Sequence, residues 1–142
     1  MFRQPILAAM LLPLPAFAGE ITVAEAWVPA APPTARTHAA YLTVHNGGET
    51  PRVLVGVSAE GYGMSHMHES KQTDGVATMS MLHNIEIPAD GFLTMRPGGL
   101  HVMLMAPPQP VAEGDTIALK LSFANGETLA VNAVVKNRAL AN

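Results

Sequence analysis

Histidine and methionine are concentrated in one segment of the chain, and both can bind metal ions. Of the 9 methionines, only Met1 and Met10 lie outside the segment from Met64 to Met105. Thioether sulfur is a soft ligand and imidazole nitrogen a borderline one, so together they suit Cu(I) better than zinc, magnesium or calcium. Because both donors are neutral, they also favour a monovalent ion. The same segment holds four of the 6 histidines, which are His66, His68, His83 and His101.

The spacing of these residues predicts that they lie on shared faces of β-strands. Side chains at positions i and i+2 of a strand point to the same face. If three such strands are neighbours, their imidazole and thioether groups can converge on one ion. The residues that are spaced two apart within a segment, and so share a predicted face, are Met64, His66 and His68; Met79, Met81 and His83; and His101, Met103 and Met105.

Core packing is the alternative explanation for the methionines. Methionine is flexible and fills irregular cores well, and it is often fully buried. A buried histidine, in contrast, needs a hydrogen-bond partner, so the histidines weigh against packing alone. We assign Met81, Met95 and Met105 mainly to packing. His38 and His45 stand apart from the others and are interpreted as ordinary polar positions on a strand.

Short strands are the elements that must position these side chains. Alternating apolar runs between turn signals recur along the chain, with no sustained helical period. Asp74-Gly75 is a strong turn signal and Asn125-Gly126 is typical of hairpins. Eight or so short strands predict one all-β sandwich or barrel domain. The strands used below are predicted over Arg52–Ser58 (with Val53, Val55 and Val57 on one face), Met64–Ser70, Val76–His83, Leu100–Met105, Thr116–Ala124 and Glu127–Val135.

Composition excludes several classes of function. The 142 residues include 8 Lys+Arg and 11 Asp+Glu, so there is no basic footprint for nucleic acid. The length is that of one domain. The chain has no cysteine, which excludes disulfides, thiolate zinc sites, iron–sulfur clusters, a cysteine nucleophile and a blue-copper site.

The N-terminus has the pattern of an export signal. Arg3 precedes a short apolar run from Ile6 to Leu14, and Ala16-Phe17-Ala18 fits the small-x-small rule for signal peptidase. The apolar run is too short to span a membrane; an uncleaved anchor is the alternative. We therefore expect residues 1–18 to be a signal peptide cleaved after Ala18. Residues 19–142 would then be one copper-binding β-sandwich domain in the periplasm.

The spacing of four metal-binding residues resembles a known family. His68, Met79, His101 and Met103 follow the pattern H-x10-M-x21-H-x-M, the signature of periplasmic copper chaperones of the PCuAC type. The run from Pro97 to Leu104 is also similar to that family. The resemblance implies a cupredoxin-like, immunoglobulin-like β-sandwich whose four signature residues bind one Cu(I) per chain. Whether His66 or Met64 takes part is left open, as is binding of Cu(II).

The resemblance also implies a function and partners. Members of the family donate copper to the dinuclear site of cytochrome c oxidase. The expected partner is therefore the copper-bearing subunit of that oxidase or a thioredoxin-like copper assembly factor, and the chain is expected to be a monomer. Copper sequestration through the same site is the alternative. An enzyme is not expected, since a histidine-brace monooxygenase needs histidine where the predicted mature chain begins with Gly19.

Overall fold

The chain is all-β over residues 20–138, which are the residues that the computed structural model describes. The expected signal peptide, residues 1–18, lies outside these residues. Within the described part, no helix is long and apolar enough to cross a membrane. The strands are β1 (Ile21–Pro29), β2 (Thr37–Asn46), β3 (Arg52–Ala59), β4 (Met64–Thr73), β5 (Val76–Leu82), β6 (Ile85–Ile87), β7 (Phe92–Thr94), β8 (Leu100–Met105), β9 (Thr116–Phe123) and β10 (Thr128–Lys136).

The strands form one hydrogen-bonded sheet that folds over on itself into a β-sandwich. Their order is β5-β4-β8-β2-β1-β10-β9-β3-β6, and β7 also pairs with β2. The two layers join at β2, because residues 37–40 pair with β8 and residues 41–46 pair with β1. Across the interior β3 contacts β4, where the Ser65 hydroxyl donates a hydrogen bond to the carbonyl oxygen of Val57. The predicted β-sandwich is confirmed.

The core is built from alternating positions of several strands. In β9 the residues at every second position, from Ile117 to Phe123, are buried. Strand β8 contributes Val102 and Leu104, both fully buried. Full burial of an aliphatic side chain of this size stabilises the fold by about 1.5 to 3 kcal/mol. The face of β8 that is opposite to these residues carries His101, Met103 and Met105.

Strand β3 departs from simple alternation. Its pairing with β9 shifts register between Leu54 and Gly56, which is a β-bulge. Leu54 and Val57 are both buried, whereas Val55 between them is 43% exposed. The prediction that Val53, Val55 and Val57 share one face is therefore wrong, because the extra residue in the bulge inverts the alternation.

Candidate metal centre

The three segments rich in histidine and methionine form neighbouring strands at one end of the sheet. Strand β4 lies between β5 and β8. The β4–β5 hairpin closes where Thr73 pairs with Val76. Asp74 and Gly75 have φ angles of 52° and 77°, and positive φ at both central residues is what a two-residue type I′ turn requires. The hairpin predicted at Asp74-Gly75 is confirmed.

Strand register brings the metal-binding side chains to one face of these strands. Residues directly opposite each other in an antiparallel pair share a face. We call this surface the soft-ligand face. Its members are Met64, His66 and His68 on β4, Met79 and Met81 on β5, and His101, Met103 and Met105 on β8. The opposing pairs are Met64 with Met105, His66 with Met103, His68 with His101, His68 with Met81, and Ser70 with Met79.

His68 lies at the centre of the soft-ligand face. Its Nδ1 is 3.1 Å from the Sδ of Met79, and its ring centroid is 5.7 Å from that of His101. The ring of His66 is 6.1 Å away and nearly parallel. A nitrogen and a sulfur bound to one tetrahedral ion, with bonds of about 2.0 and 2.3 Å, lie about 3.5 Å apart. Small side-chain adjustments are therefore enough for His68 and Met79 to share an ion.

The ring nitrogens of His68 lack strong hydrogen-bond partners. Within residues 20–138, its Nε2 is the one buried side-chain nitrogen or oxygen without a hydrogen-bond partner. Its Nδ1 faces only a thioether, which is a weak acceptor. A buried polar group left unsatisfied costs about 1 to 3 kcal/mol. A bound cation would give this ring a strong partner.

The electrostatic surroundings of His68 favour its neutral form. Burial lowers the pKa of His68, and the neighbouring imidazoles of His101 and His66 lower it further. Burial and like charge both disfavour the protonated ring. Neutral imidazole is the form that binds a metal ion.

His101 is the most firmly oriented of the four signature residues. It is 6% exposed, and its Nδ1 lies 3.1 Å from the carbonyl oxygen of Gly99. A carbonyl can only accept, so Nδ1–H donates and Nε2 keeps a free lone pair. Such a backbone contact fixes the tautomer of many metal-binding histidines. The ring of Tyr41 packs beside His101 at 6.4 Å, and Trp27 lies 5.0 Å beyond it.

Met103 lies next to the other three signature residues on the soft-ligand face. It follows His101 by two residues on the same face and is half-buried. Its direct neighbours are His66 on β4 and Ala39 on β2. The structure thus brings His68, Met79 and His101 together and places Met103 beside them, opposite His66.

Exposure separates the methionines that pack from those that do not. Met95 is 4% exposed, so its packing role is confirmed, and Met67 is 3% exposed on the core side of β4. Met105 is half-buried. Met81 is 48% exposed, so its assignment to packing is wrong. The reason is that β5 is an edge strand, and six of its seven positions are exposed.

The two isolated histidines also differ from each other. His38 is buried, and its Nδ1 is 2.6 Å from the hydroxyl of Tyr62, so its interpretation as an ordinary polar position is wrong. Burial lowers the pKa of His38 and raises that of Tyr62. His45 is half-buried and lies 3.1 Å from the carboxylate of Asp90. Neither histidine belongs to the soft-ligand face.

Histidine and carboxylate side chains alone do not form a metal site in the described part of the chain. Among residues 20–138, no group of three or more His, Cys, Asp or Glu side chains could hold a metal ion. A metal centre on the soft-ligand face therefore needs thioether sulfur.

Known proteins are similar to this chain in overall sequence and in fold. The family model described as "Putative lipoprotein LpqE-like" matches residues 21–135. "Putative lipoprotein Lxx21020" of Leifsonia xyli subsp. xyli is 33% identical over 123 residues, which are 86% of this chain and 73% of the relative.

Two solved structures are similar in fold. The copper-bound PCuAC domain from PmoF2 has a TM-score of 0.69 at 22% identity, over 84% of this chain and 95% of that one. The solution structure of Cu(I)-DR1885 from Deinococcus radiodurans has a TM-score of 0.64 at 33% identity, over 93% of this chain and 84% of that one. The PCuAC-like fold expected from the resemblance is confirmed.

Proposed function

The chain belongs to the LpqE-like family, and we propose that it binds one Cu(I) ion tightly between His68, Met79, His101 and Met103. The observation that carries this proposal is the contact between His68 and Met79 beside the oriented ring of His101. Two imidazoles and two thioethers make a neutral, soft set, which suits Cu(I). The similar structures of PmoF2 and DR1885 are described as copper-bound and Cu(I)-bound.

We further propose that the protein carries copper to another protein rather than catalysing a reaction. Met79 is 55% exposed whereas His101 is 6% exposed. An incoming protein can therefore replace Met79 while His101 still holds the ion, which allows transfer through shared ligands. The acceptor would be the copper-bearing subunit of cytochrome c oxidase or a thioredoxin-like copper assembly factor. The protein would act as a monomer.

Export to the periplasm is part of the same proposal. The pattern of residues 1–18 fits a cleaved signal peptide. The family and its relative are described as lipoproteins, which supports an exported protein.

An anaerobic competition titration with a colorimetric Cu(I) chelator tests copper binding. We expect one tightly held equivalent, and at least about tenfold weaker binding in His101→Ala and Met103→Leu, since losing a group that merely supports a ligand already costs about 10- to 100-fold. Met95→Leu is the matched control, because Met95 is buried in the hydrophobic core and is not part of the soft-ligand face. Met103→Leu keeps the side-chain volume, so it tests the ligand even if His101→Ala folds poorly. Unchanged affinity in both ligand variants would contradict the assignment.

Transfer kinetics separate delivery from sequestration. The Cu(I)-loaded protein is mixed with the soluble copper domain of the oxidase subunit or with the assembly factor, and the copper content of each is followed after separation. Transfer within minutes supports delivery. Retention by this protein against an acceptor of higher affinity supports sequestration instead.

A further inference from the structure

A second group of soft ligands lies on the same face, next to the four residues proposed above. Met64 of β4 is directly opposite Met105 of β8, and His66 is directly opposite Met103. Side chains directly opposite each other have Cβ atoms about 4.5 to 5.5 Å apart. The donor atoms of Met64, His66 and Met105 are therefore close enough to reach a common point.

We propose that Met64, His66 and Met105 form a second, weaker site for Cu(I). This second ligand set is again neutral and contains two thioethers, which suits a soft monovalent ion. On β2, the residues facing this part of β8 are Thr37, opposite Met105, and Ala39, opposite Met103. Neither residue is charged, so β2 adds no group here that would favour a divalent ion over Cu(I).

Packing does not account for the second ligand set. The methionines that fill the core are almost wholly buried, as Met67 and Met95 are. Met64 is 54% exposed, and His66 and Met105 are half-buried. Met64 thus leaves its thioether accessible to an ion from solvent while its Cα is held in strand β4 by pairing with β8.

The second site differs from the first in strength and in position. It has three donors instead of four, and binding must order the exposed, flexible side chain of Met64, so its affinity is lower. Its His66 lies opposite Met103 of the first site, so the two sites are adjacent on the same pair of strands, β4 and β8. Movement of copper from the second site to the first rests on the proposed function, whereas binding at the second site does not.

An anaerobic Cu(I) titration followed by NMR of protein labelled with ¹³C at the methionine methyl groups tests this inference. The first equivalent should shift the methyl signals of Met79 and Met103. A further equivalent, bound at least about tenfold more weakly, should shift those of Met64 and Met105. The double variant Met64→Leu, Met105→Leu lacks the two reporting methyl groups, so chelator competition measures its second equivalent. That equivalent should no longer bind, while the first should still shift the methyl signals of Met79 and Met103. Met67→Leu is the matched control on the opposite face of β4 and should keep both.

The outcomes distinguish this inference from the proposed function. Absence of a second response in the unaltered protein, or a second equivalent that still binds to the double variant in the competition, would overturn the second site and leave the first intact. A second response at Met64 and Met105 without a first response at Met79 and Met103 would support the second site and contradict the proposed function. His66→Gln should also abolish the second response, and its persistence there would remove His66 from the set.

Discussion

Two β-hairpins of this molecule each turn at a glycine with positive φ but are buried differently. The β4–β5 hairpin turns at Asp74-Gly75, and the β9–β10 hairpin turns at Asn125-Gly126. Strand β9 buries every second residue, whereas β5 buries none fully. The β9–β10 hairpin therefore supports the fold, while the β4–β5 hairpin carries the candidate ligands His68 and Met79. Mutations in the two hairpins should accordingly affect different properties.

The largest expected contrast is between Leu121→Ala in β9 and Met79→Leu in β5. Leu121 is fully buried, so truncation should lower the free energy of unfolding by about 2 to 5 kcal/mol. Met79→Leu should change that free energy by less than about 0.5 kcal/mol, because the side chain is exposed. Met79→Leu should also weaken Cu(I) binding at least about tenfold. The folded fraction of Leu121→Ala should bind Cu(I) with unchanged affinity. Urea denaturation and chelator competition measure the two quantities.

The opposite results would contradict this division of stability and copper binding between the two hairpins. If Met79→Leu were strongly destabilising, β5 would support the fold to an extent that its exposure does not suggest. If Leu121→Ala weakened copper binding while folded, the site would depend on packing in β9.

A smaller contrast is expected between the two turn glycines. Gly75 and Gly126 have φ angles of 77° and 91°, and a Cβ added at either would meet no atom within 4 Å. Alanine at each position therefore costs only backbone strain, about 1 to 2 kcal/mol. Gly126→Ala should lower the global stability by about this amount. Gly75→Ala should mainly loosen the exposed hairpin and weaken Cu(I) binding a few-fold, because it disturbs the register that holds Met79 beside His68.

Urea denaturation and chelator competition also test the predictions for Gly75→Ala and Gly126→Ala. Equal losses of unfolding free energy in both variants, with copper affinity intact in Gly75→Ala, would show that the two hairpins do not divide stability and binding between them.

Local sequence was sufficient to predict several features of the fold and the candidate site. Alternation in β9 and the Asp74-Gly75 turn depend only on residues near one another in the chain. The i, i+2 spacing also predicted which histidine and methionine side chains of each segment share a face, except that His83 lies beyond the end of β5. These features follow from the geometry of a single strand or turn, so they can be predicted without knowing which strands pair.

Other features depend on contacts between distant segments. The exposure of Met81 follows from the position of β5 at the edge of the sheet, which the sequence of β5 does not encode. The bulge at Val55 is set by pairing with β9. The placement of His66 opposite Met103 depends on the register of β4 against β8, so sequence alone left the role of His66 open.

X-ray absorption spectroscopy of the protein loaded with one equivalent of Cu(I) shows directly whether imidazole and thioether groups bind the ion. We expect the copper to be coordinated by two imidazole nitrogens and two thioether sulfurs from His68, His101, Met79 and Met103. Met79→Leu should remove one sulfur from this set. A coordination shell made only of nitrogen and oxygen, or a sulfur count unchanged in Met79→Leu, would contradict the account.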